Sequence, residues 1–168
     1  MLKIERLGEV VRMTPEFGGY LPFKCDFIGR QRGDGGVYWR LGNFESSLVE
    51  IEVDKDSGVI ASFSLVMFDS LMGGIPNLNI PLRKEVGVPL FPLESWQGEM
   101  FLDEKAEIQV FFESDALMVA WSNVCETTWI VESDGVSFGV GPCDRLCWIY
   151  VQGLPKDFIN GLNSFRSV

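Results

Sequence analysis

The most regular alternation of charged and aliphatic residues lies in residues 47–54. Glu50, Glu52 and Asp54 share one face of an extended chain, and aliphatic residues at the intervening positions share the other. This pattern predicts a half-buried β-strand. Residues 58–68 are more apolar and richer in β-branched side chains, which is typical of a central strand. The turn residues 54–58 between the two strands predict a hairpin.

Most of the remaining chain also has the short apolar runs and turn residues of β-structure. Further strands are predicted at residues 2–7, 20–28, 37–41 and 147–151, and two more hairpins join 107–113 to 117–122 and 127–132 to 136–140. Residues 155–162 predict one short helix that begins at Pro155. Two stretches interrupt the pattern, a glycine-rich turn at 30–36 and an irregular Gly/Pro-rich connection near 71–93.

Length and pattern together predict a single β-rich domain spanning residues 1–168. We expect a mainly β fold, with a β-rich α+β fold as the alternative. Antiparallel sheets would pack as a sandwich or a partly open barrel, with one or two short helices. The chain has 46% hydrophobic and 23% charged residues, which is the composition of an ordinary globular protein. The connection near 71–93 is too apolar for a flexible tether, so we place no domain boundary there.

Histidine is absent from the sequence, and this removes several kinds of chemistry. A Ser-His-Asp triad, a Cys-His dyad, a histidine metal site and an imidazole proton shuttle are excluded. The formal charge of −10 argues against direct binding to nucleic-acid phosphates, which requires a basic surface. The chain also has no phosphate-binding glycine motif and no serine-nucleophile motif. We therefore expect a binding protein rather than an enzyme, without a cofactor.

The four cysteines, Cys25, Cys125, Cys143 and Cys147, are interpreted as buried thiols. A four-cysteine zinc site needs two close pairs, and only Cys143 and Cys147 are close in sequence, so no metal site is predicted. The N-terminal residues lack the apolar core of a signal peptide, and no apolar run is long enough to span a bilayer. We expect a cytoplasmic protein that does not contact membranes.

The negative charge is concentrated in two segments. Residues 45–69 hold six acidic residues and one basic residue, and residues 94–115 hold seven acidic residues and one basic residue. In the second segment, aromatic residues stand among the acidic ones, as in the anchor set of a protein interface, although the same aromatics could instead fill the core. The predicted partner-binding residues are Glu94, Trp96, Glu99, Phe101, Asp103 and Glu104, with Glu50, Glu52 and Asp54 as the second choice. Reversing Glu99, Asp103 and Glu104 to lysine is predicted to slow association with the partner and to leave the fold intact.

Three stretches resemble, in pattern, the immunity proteins of bacterial polymorphic toxin and contact-dependent growth inhibition systems. They are the hairpin at 48–66, the Val-Ser-Phe-Gly sequence at 136–139 and the aromatic strand and turn at 148–154. The resemblance implies a small cytosolic protein without enzymatic activity that binds one cognate toxin domain and blocks its active site. Many such toxins are nucleases with basic substrate clefts, which an acidic surface can fill.

We therefore expect an immunity protein that neutralises a cognate toxin domain with a basic surface, and a nuclease is one candidate for that toxin. The alternative is a small-ligand or carbohydrate-binding β domain, which predicts tryptophans in an open cleft. A third hypothesis is an assembly subunit, which predicts stable self-association.

Overall fold

The computed structural model describes residues 2–17, 19–28, 35–77, 83–155 and 157–163. Within these ranges the chain forms fifteen strands, one short α-helix and three short 3-10 helices. The strands are β1 (Arg6–Gly8), β2 (Arg12–Glu16), β3 (Phe23–Ile28), β4 (Gly36–Gly42), β5 (Leu48–Asp54), β6 (Ile60–Met67), β7 (Leu71–Gly73), β8 (Arg83–Val86), β9 (Val88–Leu90), β10 (Phe101–Lys105), β11 (Gln109–Glu113), β12 (Ala116–Ala120), β13 (Trp129–Ser133), β14 (Val136–Val140) and β15 (Leu146–Val151). The helix α1 is Phe158–Asn163, and the 3-10 helices are Leu93–Trp96, Val124–Glu126 and Pro142–Asp144.

Two large sheets pack as a sandwich. The six-stranded sheet has the order β10-β4-β5-β6-β3-β2, and the seven-stranded sheet has the order β7-β11-β12-β15-β14-β13-β8. A separate ribbon pairs β1 with β9. Most pairs are antiparallel and neither large sheet closes into a barrel in the described residues, so the predicted β-sandwich is confirmed. The parallel pairs, β10 with β4, β7 with β11 and β8 with β13, each add an edge strand.

The main hydrophobic core lies between the two large sheets, and in the six-stranded sheet it is filled largely by alternate residues of the strands. On β5, Val49, Ile51 and Val53 are fully buried, whereas the residues between them are half-exposed. Trp39 on β4 meets Trp121, just after β12, edge to face with ring centres 5.7 Å apart. The outward side chains of β5 between its buried residues are therefore the charged ones, Glu50 and Glu52.

The predicted hairpin at 54–58 is confirmed, and its turn is held by one carboxylate. Oδ1 of Asp54 accepts hydrogen bonds from the N–H groups of Asp56 and Ser57 and from the Ser57 hydroxyl. Gly58 has φ of 74°, and a Cβ there would lie 2.5 Å from the carbonyl oxygen of Phe91. Glycine is therefore required on both conformational and steric grounds.

Several predicted elements need correction. The connection near 71–93 contains three short strands, β7, β8 and β9, although residues 78–82 lie outside the described residues. Most of the predicted turn at 30–36 also lies outside them. Strands β2 and β10 were not predicted at all. The short helix is present, but α1 begins at Phe158, three residues after the predicted start at Pro155, and ends one residue after the predicted end.

The interpretation of all four cysteines as buried thiols is wrong for two of them. Cys25 and Cys147 are buried, and this burial raises the pKa of both thiols. Cys125 and Cys143 are exposed because each lies in a 3-10 turn that connects strands at the surface. No helix in the described ranges is long and apolar enough to cross a membrane.

Candidate partner-binding surface

The six-stranded sheet places one strand from each acidic segment, β5 and β10, on the two sides of β4. β10 is parallel to β4 and β4 is antiparallel to β5, so that Asp103 lies beside Arg40 and Arg40 beside Glu50. Nε and Nη2 of Arg40 donate to the two carboxylate oxygens of Asp103, each at 2.7 Å. Two strands further along the same row, Lys24 on β3 forms a salt bridge of 3.2 Å with Asp26. The row thus places Glu50 between two ion pairs.

A second row, two residues along each strand, is aromatic at the sheet edge. Phe101 lies beside Tyr38 and Tyr38 lies beside Glu52. The rings of Phe101 and Tyr38 stack with their centres 5.6 Å apart. The guanidinium carbon of Arg40, from the first row, lies 4.3 Å from the centre of the Phe101 ring. Next along the row, the hydroxyl of Ser62 donates to Glu52 at 2.9 Å. We call the outward side chains of β10, β4, β5, β6 and β3 the acidic face.

The electrostatics of the acidic face centre on Glu50. Partial burial raises the pKa of its carboxyl group, the neighbouring Arg40 opposes that shift, and Glu52 adds to it. In the free protein, the ionised form of Glu50 is therefore less favourable than that of a fully solvated glutamate. A basic side chain from a partner would offset this difference and stabilise the bound state.

The structure brings together only part of the predicted binding set. The predicted residues on the acidic face are Glu50, Glu52, Phe101 and Asp103. Asp54 lies at the end of β5, where its carboxylate holds the hairpin turn. Glu94 and Glu99 are exposed but precede β10, outside both rows.

Two predicted residues face the interior. Trp96 is 2% exposed, and its Nε1 donates to the carbonyl oxygen of Tyr38 at 2.9 Å, so it packs in the core and is not an exposed anchor. Glu104 points to the inner side of β10 and accepts a hydrogen bond of 3.2 Å from Nε1 of the fully buried Trp39. The expectation that reversing Glu104 leaves the fold intact is therefore corrected, because the reversal would remove this acceptor.

Sequence reasoning missed the basic and aromatic neighbours of the acidic residues. Tyr38 and Arg40 alternate with buried residues on β4, a signal of a shared outward face. Lys24 and Asp26 show the same alternation on β3. No local signal, however, indicates that β10 pairs with β4.

The tryptophans do not line an open site. All are buried: Trp39, Trp96, Trp121, Trp129 and Trp148. An open cleft of about 620 Å³ lies where β4 and β10 end, and its charged lining residues are Glu45, Asp69, Lys105 and Glu107. The tryptophans are therefore not placed to stack on a sugar.

No family model matches the chain, and no curated protein matches it in sequence. Among the residues that the structure describes, no group of three or more Cys, Asp or Glu is arranged to hold a metal ion. The function must therefore be inferred from the geometry and charge of the acidic face.

Proposed function

We propose that this chain is a cytosolic immunity protein that binds a cognate toxin domain through the acidic face and neutralises it by occlusion, without catalysis. The observation that supports this proposal is the parallel pairing of β10 with β4, which places Asp103 of the second acidic segment on the same outward face as Glu50 and Glu52 of the first. An excess of carboxylates on one face speeds encounter with a basic partner and selects against acidic ones.

The acidic face also offers an apolar contact of the kind that dominates binding energy. Phe101 is 45% exposed and stacks on Tyr38 at the sheet edge. Exposed aromatic residues beside charged groups often become hot spots when a partner excludes water from them. Carboxylates would pair with lysine or arginine of the toxin, and the aromatic pair would supply buried area. In a nuclease, those basic residues would be the ones that bind substrate phosphates, so occupying them would block the reaction.

The test is growth rescue. The C-terminal domain of the protein encoded next to this gene is expressed in bacteria, alone and together with this chain. We expect the neighbouring domain to stop growth alone and the chain to restore it. A harmless neighbour, or one that stops growth in both cases, would overturn the proposal.

Matched charge reversals test whether the acidic face is the binding surface. Glu50→Lys with Glu52→Lys is expected to weaken toxin binding by about tenfold or more and to reduce rescue. The control is Glu113→Lys with Asp115→Lys, two exposed residues at the β11–β12 turn of the seven-stranded sheet. Both double variants change the net charge equally, so loss of rescue in both would indicate an effect of overall charge instead of the acidic face.

A further inference from the structure

The outer edge of β10 has main-chain groups that point away from the sheet. The N–H of Tyr38 donates to the carbonyl of Met100 at 2.8 Å, and the N–H of Ala106 donates to the carbonyl of Gly42 at 3.2 Å. Because β10 and β4 are parallel and in this register, the main-chain N–H and C=O groups of Leu102 and Glu104 point toward β4. The N–H and C=O groups of the alternate residues therefore point outward. They belong to Phe101, Asp103 and Lys105.

Within the described residues, no strand pairs with β10 on that outer side. The other sheet edges are shorter or protected. β7 has three residues and is followed by Gly74, β8 has four residues, and β2 contains Pro15. β10 has five residues without proline or glycine. An edge of this kind is a template for pairing with an added strand.

The charges around β10 distinguish a basic occupant from a second copy of this chain. Antiparallel self-pairing centred on Asp103 would set Asp103 opposite Asp103, and each copy would bring Glu99 and Glu107 to the same edge. Like charges placed directly opposite destabilise a strand pair. A strand with lysine or arginine at alternate positions would instead bring positive charge to Asp103, which also binds Arg40, and to Glu99 and Glu107 beyond the ends of β10. The end of this added strand would reach the cleft that contains Glu45 and Asp69.

We propose that β10 accepts an extended basic segment of the partner as a seventh strand of the six-stranded sheet. This inference rests on the proposed function for the identity of the partner, a toxin domain. The main-chain bonds would hold the segment in register, and the acidic face would select its side chains. Strand addition would also seat the segment against the exposed ring of Phe101.

The test uses amide hydrogen exchange measured by NMR at low ionic strength. The probe is a short capped peptide in which lysine alternates with valine, and the matched probe has glutamate in place of lysine. With the basic peptide, we expect exchange at Phe101, Asp103 and Lys105 to slow by about tenfold or more. Exchange at Leu102 and Glu104 should change little, because these amides already face β4. Absence of this alternation, or equal binding of the acidic peptide, would overturn the proposal.

A pair of variants separates the main-chain contact from the charge. Lys105→Pro and Lys105→Ala both remove the ammonium group, but only proline also removes the outward N–H. The hydrogen bond that the N–H of Ala106 donates to the carbonyl of Gly42 involves neither the N–H nor the ammonium group of Lys105, so both variants can keep it. We expect Lys105→Ala to bind the basic peptide at least as tightly as the wild type, because a like charge is removed, and Lys105→Pro to bind several-fold more weakly than Lys105→Ala. Circular dichroism and thermal unfolding check that both variants fold. If the proline variant unfolds, the alternation in the wild type decides the question.

The outcomes distinguish this inference from the proposed function. If the basic peptide protects alternate amides while the neighbouring gene product is harmless, the edge site stands and the immunity function fails. If the toxin domain is neutralised but its complex leaves these amides unprotected, the function stands and the edge site fails. If exchange at the same amides slows with protein concentration alone, the occupant is a second copy and the proposal fails.

Discussion

The two edges of the six-stranded sheet differ in how their main-chain groups are satisfied. At β2, the hydroxyl of Ser133 accepts from the N–H of Val11 at 3.1 Å and donates to its carbonyl at 3.0 Å. The main chains of Arg12 and Asp134 form an isolated parallel β-bridge, and Pro15 within β2 has no N–H group to donate. These contacts connect the β2 edge to the seven-stranded sheet. The β10 edge has no such contact among the described residues.

This difference shows that one edge of a sheet can be protected against pairing with another chain while the other edge of the same sheet is not. Proline and a neighbouring sheet are common ways to prevent unwanted pairing, and both occur at β2. At β10, the inward carboxylate of Glu104 holds the strand against Trp39. On the outer side of β10, no described strand pairs with the main chain, and the ring of Phe101 is exposed. A sheet with one closed edge and one open edge has a defined direction in which it can be extended.

The largest expected effect is on the attachment of β10. Glu104→Lys should lower the free energy of unfolding by about 1–3 kcal/mol, because the buried N–H of Trp39 loses its acceptor. Glu104→Gln keeps an acceptor oxygen and should lose less. Urea unfolding of the three proteins measures the difference. Equal losses in both variants would show that the hydrogen bond does not hold β10 in place.

The next prediction compares two half-exposed phenylalanines, one at each edge. Phe101→Ala should weaken toxin binding by about tenfold, or about 1.4 kcal/mol, and should lower stability by about 1 kcal/mol because its ring stacks on Tyr38. Phe17 follows β2, is 43% exposed and packs edge to face against Phe158 with ring centres 5.4 Å apart. Phe17→Ala should therefore lower stability by about 1 kcal/mol and leave binding unchanged. Titration calorimetry and thermal unfolding of both variants provide the test. Weaker toxin binding by Phe17→Ala, with unchanged binding by Phe101→Ala, would show that the β2 edge and not the β10 edge contacts the toxin.

The contact between the β2 edge and the seven-stranded sheet depends on the hydroxyl group of Ser133. Ser133→Ala removes both hydrogen bonds to Val11 and should lower the free energy of unfolding by about 1 kcal/mol. The Val11 amide should exchange faster, since this amide is only partly buried. Ser133→Thr keeps the hydroxyl and is the control. Unchanged exchange at Val11 in the alanine variant would mean that other contacts close this edge.

The features predicted correctly from sequence are those specified by local residues. The β5–β6 hairpin could be predicted because its alternation and the Asp54–Gly58 turn are contiguous. The pairing of β10 with β4 could not, because it joins residues such as Arg40 and Asp103 that are 63 positions apart. Nothing in the local pattern of residues 101–105 identifies the partner strand or its parallel direction.

The candidate site shows the same limit at the level of single side chains. Glu50 and Glu52 were assigned to one face by period-two alternation, and the structure confirms that placement. Trp96 and Glu104 were assigned by composition alone, and both turn inward because their partners, Tyr38 and Trp39, lie on a strand distant in sequence. Charge and aromatic content locate an acidic region, but tertiary pairing decides which members face solvent.

The smallest predicted effect separates stability from binding at the centre of the acidic face. Burial raises the pKa of Glu50 above its ordinary value of 4.5 in the folded protein. The folded state therefore holds its proton to higher pH than the unfolded state, and stability should fall as pH rises through that interval. Glu50→Gln lacks this loss, so above that interval it should be more stable than the wild type by about 0.5 kcal/mol or less.

Thermal unfolding of both proteins from about pH 3 to 8 measures this difference, which should disappear at the acidic end, where the wild-type carboxyl group is neutral. The exposed Glu94→Gln removes the same charge outside the acidic face and is the control. Identical pH dependence in wild type and Glu50→Gln would show that the ionised Glu50 carries no cost in the free protein. If Glu50→Gln instead stabilises the free protein and weakens toxin binding, the charge is maintained for recognition at the expense of stability, as expected for a residue of a binding surface.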